Sequence, residues 1–368
     1  MAVRVDVACC FDAAMALPAA VLAASIARAT RDAEVTLHLV HLPGARADAA
    51  RIVRAQGSAR FCVACYEVAP QSLGLEADEI SFAPTYLRLA LARVLPVERV
   101  IYLDCDTVVL RSLRPLAELD LGGAIVAAVG DHYLSGHQRG TGERLRFQGG
   151  TLSVDDYVRD VVQLPGGPDA YCNAGVVVVD LAAWRAAGMT EQCLAFTRRV
   201  RDRHFHDQDA INHLIQGRFV RLDPRWNALC FAVGFYQVPG RGLPFPGGVW
   251  GEVLAQWRDD PWIVHFAAGS GPWRHPHTPS GRAAAFWRFA TPVAVGVPHG
   301  LRLLALRARV TAAALPYRRR HLASRLRGMA RAVLGRCAAW LRALPGLRRL
   351  RPRSRIIRAW RWFSRRGA

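Results

Sequence analysis

The ten residues VIYLDCDTVV (Val100–Val109) carry an apolar run that ends on two carboxylates one residue apart, Asp104 and Asp106. Burying one unpaired carboxylate is unfavourable, and two close together are worse. Two readings are open: the pair is solvated at a strand end, or a cation sits between them. In an extended strand residues i and i+2 project to the same side, so both carboxylates can address one ion. D-x-D alone is a weak signal. An apolar strand leading in and TVV leading out strengthen it.

The flanking sequence supplies the elements that would hold such a pair. VRVDVACC, EVTLHLVHL, ARFCVACYEV, RVIYLDCD, AIVAAVG and YCNAGVVVVDL read as strands. LPAAVLAASIARAT, ADAARIVRAQG and PTYLRLALARVLP, which lie between them, read as helices by their apolar spacing. Strands separated by helices predict an α/β fold with one doubly wound, mostly parallel sheet. Residues 132–170 read as an irregular, glycine-rich insertion, and residues 221–300, rich in Pro, Gly and Trp, as loops closing over the sheet. In open α/β sheets ligands bind outside the carboxyl ends of the strands. Asp12, Asp104, Asp106 and Asp131 each follow a predicted strand. Four carboxylates on one rim suit a metal and a sugar-bearing nucleotide.

The 368 residues are 52% hydrophobic, ample for a sizeable core, with no internal repeat. No uninterrupted apolar stretch reaches eighteen residues, and the first residues, MAVRVDVACCFD, read as a strand rather than a secretion signal. Cytoplasmic residence is the expectation. Nine cysteines without framework spacing point to reduced thiols, and the CVAC run (Cys62–Cys65) to a buried structural pair. The net charge of +20 is concentrated in residues 301–368, which hold 20 arginines and no acid. There is no lysine anywhere, and with the abundance of alanine this suggests a GC-rich genome. The chain thus divides into a neutral body, 1–300, and a basic tail, 301–368.

YLDCDTVVL, preceded by TYLRL and followed by LAELDL, resembles the core of glycosyltransferase family 8, which includes bacterial lipopolysaccharide galactosyl- and glucosyltransferases and is related to glycogenin. YCNAGVVVVDLAAWR (Tyr171–Arg185), HDQDAIN (His206–Asn212), LDPRWN (Leu222–Asn227) and VHFAAGSGPW (Val264–Trp273) resemble further family segments in the same order, over roughly residues 3–290. The resemblance implies a GT-A-like nucleotide-diphospho-sugar transferase fold. It also implies a retaining enzyme that moves galactose or glucose from a UDP-hexose to a saccharide acceptor, such as lipopolysaccharide or another lipid-linked glycan. Asp104, Asp106 and His265 would hold a divalent metal. A mixed oxygen and imidazole set favours Mn²⁺, with Mg²⁺ the alternative. Asp12 would contact the uracil or ribose. Arg88, Asp131, Asn173, Asp207 and Gln208 would hold the donor sugar with Asp104, and Asp207 and Gln208 would serve the chemistry.

Three departures from the family pattern stand out: Ala14 after Asp12, Cys172 before the NAG, and Gly271 where a lysine normally meets the diphosphate. In a chain without lysine, Arg274 is the expected replacement. In the tail, Leu322, Leu326, Met329, Val333, Cys337, Trp340 and Leu344 fall on one helical face with arginine on much of the rest. That pattern suits an interfacial helix on an anionic membrane, at the inner face of the cytoplasmic membrane. Helix packing on the body, or a nucleic-acid-binding patch, are the other readings, and nucleic acid is not expected. Among enzymes on a similar sheet, a sugar-nucleotide hydrolase or a nucleotidyltransferase is the rival.

Overall fold

The computed structural model describes residues 2–74, 83–201, 203–237, 246–274, 280–291 and Ala308. The described body lies in one compact unit, Met1–Val238 with Gly242–Ala313. The tail expected over 301–368 lies outside the described residues, apart from Ala308.

Among the described residues twelve strands follow one another: β1 (Arg4–Phe11), β2 (Glu34–His41), β3 (Phe61–Glu67), β4 (Arg99–Leu103), β5 (Thr107–Val109), β6 (Val126–Gly130), β7 (Arg144–Phe147), β8 (Gly150–Ser153), β9 (Cys172–Asp180), β10 (Val220–Arg221), β11 (Ala228–Leu229) and β12 (Ile263–His265). Seven form one sheet in the order β10-β6-β9-β4-β1-β2-β3. All its pairings are parallel except those of β9, which runs antiparallel to both β4 and β6.

Alternation along β1 shows why the sheet is covered on both faces. Val5, Val7, Cys9 and Phe11 pack with α1 (Ala16–Ala29) and α2 (Arg46–Gln56), through Leu22, Ile26 and Ile52. Ala8 and Cys10 point to the opposite layer, where Leu91, Trp184, Leu194 and Ile211 lie. Strands buried on both sides read as near-continuous apolar runs, and β6 and the four valines of β9 fit that rule. Each fully buried valine contributes about 1.5–3 kcal/mol, so Val176–Val179 hold β9 firmly in register.

The structure differs from the sequence reading in local places. The segment read as one helix over PTYLRLALARVLP is broken, with a tight turn at Leu87–Ala90 between two short helical pieces. Residues 132–170 carry the hairpin β7–β8 and a small core around Leu134, Leu145, Tyr157 and Val161, which Tyr171 completes from just beyond the segment. Beyond residue 221 the chain is not all loop. It holds β11, β12 and a twelve-residue helix, Gly248–Asp259, and β12 joins β5 and β11 in a second, three-stranded sheet. Cys62 and Cys65 are exposed, not buried. They lie on β3, an edge strand, and their odd separation sends them to opposite faces.

Candidate active site

The paired aspartates do not converge by the extended geometry expected of them. β4 ends at Leu103, and the Thr107 amide donates to the Asp104 carbonyl at 3.1 Å, closing a turn over residues 104–107. The Thr107 hydroxyl donates to the same carbonyl at 2.8 Å. Cys105 is buried while Asp104 and Asp106 stay partly open. The turn, and not strand alternation, brings the two acids together.

His265 reaches them through the second sheet. β12 pairs antiparallel with β5, setting His265 opposite Thr107, and the Phe266 amide donates to the Asp106 carbonyl at 2.9 Å. His265 Nε2 then stands 3.3 Å from Asp106 Oδ1 and 3.5 Å from Asp104 Oδ2. One ligand atom from each of the three residues lies within 4.8 Å of the others. Bonds of about 2.1–2.5 Å set at right angles around one cation put its ligand atoms roughly 3.0–3.5 Å apart. The observed Nε2–oxygen separations fit that spacing. Burial works to lower the His265 pKa, but the Asp106 charge beside it prevails and holds it above the usual range. Burial likewise opposes ionisation of Asp106, and the His265 charge overcomes it and lowers that pKa.

Two residues with no expected role make this approach possible. His265 Nδ1 is 2.8 Å from the side-chain oxygen Oδ1 of Asn227, an acceptor only, so Nδ1 carries a proton, and in the neutral ring that could ligate a metal the lone pair lies on Nε2. At Gly175 a Cβ would stand 2.3 Å from His265 Cε1 and 2.9 Å from Asp104 Oδ2. Only a residue without a side chain leaves space for the imidazole there. The NAG spelling of Asn173–Gly175 is the one sequence signal that could have pointed to it.

From Asn227 a hydrogen-bonded chain crosses the rim. Asn227 Nδ2 donates to Asn173 Oδ1 at 2.7 Å, and Asn173 Nδ2 to Asp131 Oδ2 at 3.1 Å. Gln208 Nε2 donates to the same Asp131 oxygen at 3.1 Å, while Gln208 Oε1 accepts from the Ala174 amide at 2.9 Å. Because β9 is antiparallel to its neighbours, its beginning, Cys172–Gly175, lies beside the ends of β4 and β6. The Asp104 amide donates to the Gly175 carbonyl at 2.8 Å.

Arg88 ties the acids to the helix Asp207–Ile215. Its Nη2 donates to Asp104 Oδ1 at 2.8 Å and its Nη1 to the Ala174 carbonyl at 2.5 Å. Its Nε is 2.6 Å from Asp207 Oδ2, a contact of charges without hydrogen-bond alignment, since Nε–H is turned to the Thr85 carbonyl at 3.3 Å. Tyr102 donates to Asp104 Oδ1 at 2.7 Å, and its ring lies under the guanidinium. Desolvation pushes the Asp207 pKa up to about 7 against the pull of Arg88.

The DQD segment docks that helix. Asp209 accepts from the Tyr157 and Tyr171 hydroxyls, both at 2.6 Å, and Asn212 bonds both the amide and the carbonyl of Cys172. The residue before Asp207, His206, has φ +50°, a left-handed conformation costly for a side chain with a Cβ and common where function fixes the backbone.

The other expected residues take separate places. Asp12 follows β1 on the same rim, and its Oδ1 caps a turn by accepting from the Met15 amide at 3.0 Å. Arg274 is exposed, and its side chain has no hydrogen bond or ion pair among the described residues. A Cβ at Gly271 would fall 2.1 Å from the Trp273 ring, so the indole fills the space a lysine stem would need.

A model of the family described as glycosyl transferase family 8 matches residues 6–276. The chain belongs to glycosyl transferase family 8. Among family relatives, General stress protein A of Bacillus subtilis is 31% identical over 188 residues, 49% of this chain and 56% of that protein. The glycosyltransferase GlyA of Streptococcus pneumoniae is 25% identical over 210 residues, 56% of this chain and 24% of that protein. The lipopolysaccharide 1,2-glucosyltransferase of Escherichia coli is 27% identical over 139 residues, 37% of this chain and 35% of that protein. The matches thus span little more than half of these relatives, or less. The bifunctional glycosyltransferase WbbM has the same fold at a TM-score of 0.68 and 19% identity, over 83% of this chain and 52% of that one. So does the galactosyltransferase LgtC, at 0.59 and 23%, over 77% and 95%. The fold of this family 8 member is therefore that of GT-A-type glycosyltransferases.

Proposed function

We propose that the chain is a retaining hexosyltransferase that moves galactose or glucose from a UDP-sugar to a saccharide acceptor, with Mn²⁺, or Mg²⁺ in its place, at Asp104, Asp106 and His265. The observation that carries this reading is the convergence of those three side chains with Nε2 of the imidazole aimed at both carboxylates. The donor set fits a divalent cation of intermediate hardness, and the space at Gly175 is shaped for the ring. Asp104, Asp106 and His265 would hold the cation, which would supply Lewis-acid stabilisation of the negative charge that develops on the UDP leaving group.

The protein's own groups then position the sugar. Arg88 fixes Asp104 from one side and Asp207 from the other, while Asn173 and Gln208 are pinned by Asp131. Such fixed dipoles supply electrostatic preorganisation. A double displacement would need a carboxylate nucleophile, and Asp207 is buried against Arg88. An amide is a poor nucleophile, so Gln208 suits stabilisation of positive charge on the sugar, with the acceptor hydroxyl entering on the leaving-group side and the departing phosphate taking its proton. A sugar ester trapped on Asp207 would overturn this route. Asp12 is assigned to the nucleoside and Arg274 to the diphosphate.

The acceptor we favour is lipopolysaccharide or another lipid-linked glycan. Residues 1–300 form the catalytic part in this reading, and 301–368 bind an anionic membrane surface at the cytoplasmic face, supported by 20 arginines, no acid and an amphipathic pattern. Liposome flotation of the full chain against a 1–300 truncation tests the tail. The test of the site is calorimetry with UDP-galactose and UDP-glucose, each with and without Mn²⁺. Binding that is indifferent to Mn²⁺, and intact in Asp106→Asn, would remove the metal from the account.

A further inference from the structure

Beside the acid–imidazole centre, a cavity of about 300 Å³ opens near the carboxyl ends of β6 and β10. That volume falls at the lower edge of the ~300–1,000 Å³ typical of small-molecule sites. Asp131 is a shared wall, for it lines this cavity and also anchors Asn173 and Gln208. The other walls that matter are His132, Gly136, Asp169, Arg221 and Trp250.

Charge accounting singles out one of them. Both Asp131 oxygens are taken, Oδ1 by the Leu134 amide and Oδ2 by Asn173 and Gln208. Asp169 pairs with Arg139 at 3.1 Å. Burial, helped by the Arg221 charge, lowers the His132 pKa and keeps the ring neutral near pH 7. Arg221 differs from all of these. Its Nη2 donates to the Asp169 backbone carbonyl at 2.6 Å, its guanidinium lies 4.9 Å from the Phe219 ring centre, and no carboxylate pairs with it among the described residues. Its Nη1 stands 3.1 Å from where a Cβ at Gly130 would be, so glycine at 130 leaves the fork room. Across the cavity Trp250 packs closely on Gly136, where a Cβ would meet Trp250 Cγ at 2.8 Å.

A guanidinium fork without a protein carboxylate, an aromatic wall and two already satisfied acids make a site for a sugar that brings its own negative charge. We propose that this cavity is an acceptor subsite for an anionic saccharide unit, a sugar bearing a carboxylate or a phosphate, held by Arg221 with its ring against Trp250. The planar fork matches both anions in bidentate fashion, which an ammonium group would not. The inference rests on the sugar-transfer reading in making the bound saccharide the acceptor. It extends that reading by naming the acceptor's chemistry.

The test is ligand-observed NMR titration of the full chain with methyl β-glucuronide, glucose 6-phosphate and methyl β-glucoside. At least one anionic sugar should bind about tenfold more tightly than the neutral glucoside, and which one does so identifies carboxylate or phosphate as the recognised group. Arg221→Ala should erase the preference, and Arg221→Lys should keep only part of it. Thermal melting checks that each variant is folded. Equal binding of all three sugars, no binding of either anionic one, or a preference that survives Arg221→Ala overturns the proposal. UDP with Mn²⁺ is titrated into the same samples. If UDP fails to bind while the anionic sugar does, the donor-site reading fails and the subsite stands.

Discussion

His265 and Asn227 are joined by a 2.8 Å hydrogen bond from ring Nδ1 to the amide oxygen, and this bond leaves Nε2 facing Asp104 and Asp106. Both partners are buried, so water does not replace the bond if it is lost. Partners of this kind typically change metal affinity by about 10–100-fold. Asn227→Ala should therefore weaken Mn²⁺ binding by that factor, measured by calorimetry without nucleotide. Asn227→Asp, which keeps an acceptor for Nδ1, should lose less. Equal affinity in wild type and Asn227→Ala would remove the orienting role.

Gly175→Ala places a methyl where His265 Cε1 stands, at 2.3 Å, and the strand around it has no slack. Overpacking of this sort destabilises by about 1–3 kcal/mol. The ring must turn away, so Mn²⁺ affinity should fall at least about tenfold while the chain still melts cooperatively. An unchanged affinity would mean that the backbone yields instead.

Asp207 gives a pH dependence with a definite sign. Its folded pKa of about 7 lies above the ~3.9 of an unfolded aspartate. Between those values the folded state holds a proton that the unfolded state has released. Its contribution to stability is therefore full below about pH 4 and is lost progressively as pH rises towards 7. In chelator, wild type should lose more stability between pH 5 and 8, by urea unfolding, than Asp207→Asn, whose side chain does not titrate. Parallel pH profiles for the two would refute the shift.

Arg274 and Gly271 give a paired prediction. Arg274 is exposed, so Arg274→Ala should leave the melting temperature unchanged. If its side chain serves the diphosphate, UDP affinity in Mn²⁺ should drop about tenfold, the order expected of a charge-assisted contact. Restoring the family's lysine by Gly271→Lys should destabilise the chain, because Trp273 occupies that space. An Arg274→Ala chain that binds UDP as tightly as wild type sinks the substitution of arginine for lysine.

Much of the framework could be read from the chain itself. Local apolar periodicity encodes which segments are strands or helices, and it placed Asp12, Asp104 and Asp131 at strand ends. The order of the YLDCD, CNAG, HDQD, LDPRWN and VHFAAG segments carries the family by itself. The reading failed where the deciding fact was local backbone shape or edge position. The acids meet through a turn closed by Thr107, and Cys62 and Cys65 are exposed because β3 is an edge strand.

What tertiary structure alone decided is the set of distant pairings. His265 is near Asp106 because β12 pairs with β5, more than 150 positions away, and Asn173 reaches the rim only because β9 runs against its neighbours. Side-chain periodicity specifies which face a residue occupies. It does not specify which strand will lie alongside or in what direction, for those depend on burying whole faces together. The roles of Gly175 and Asn227 follow from such pairings, since one is set by the space a ring needs and the other by the proton that ring must carry.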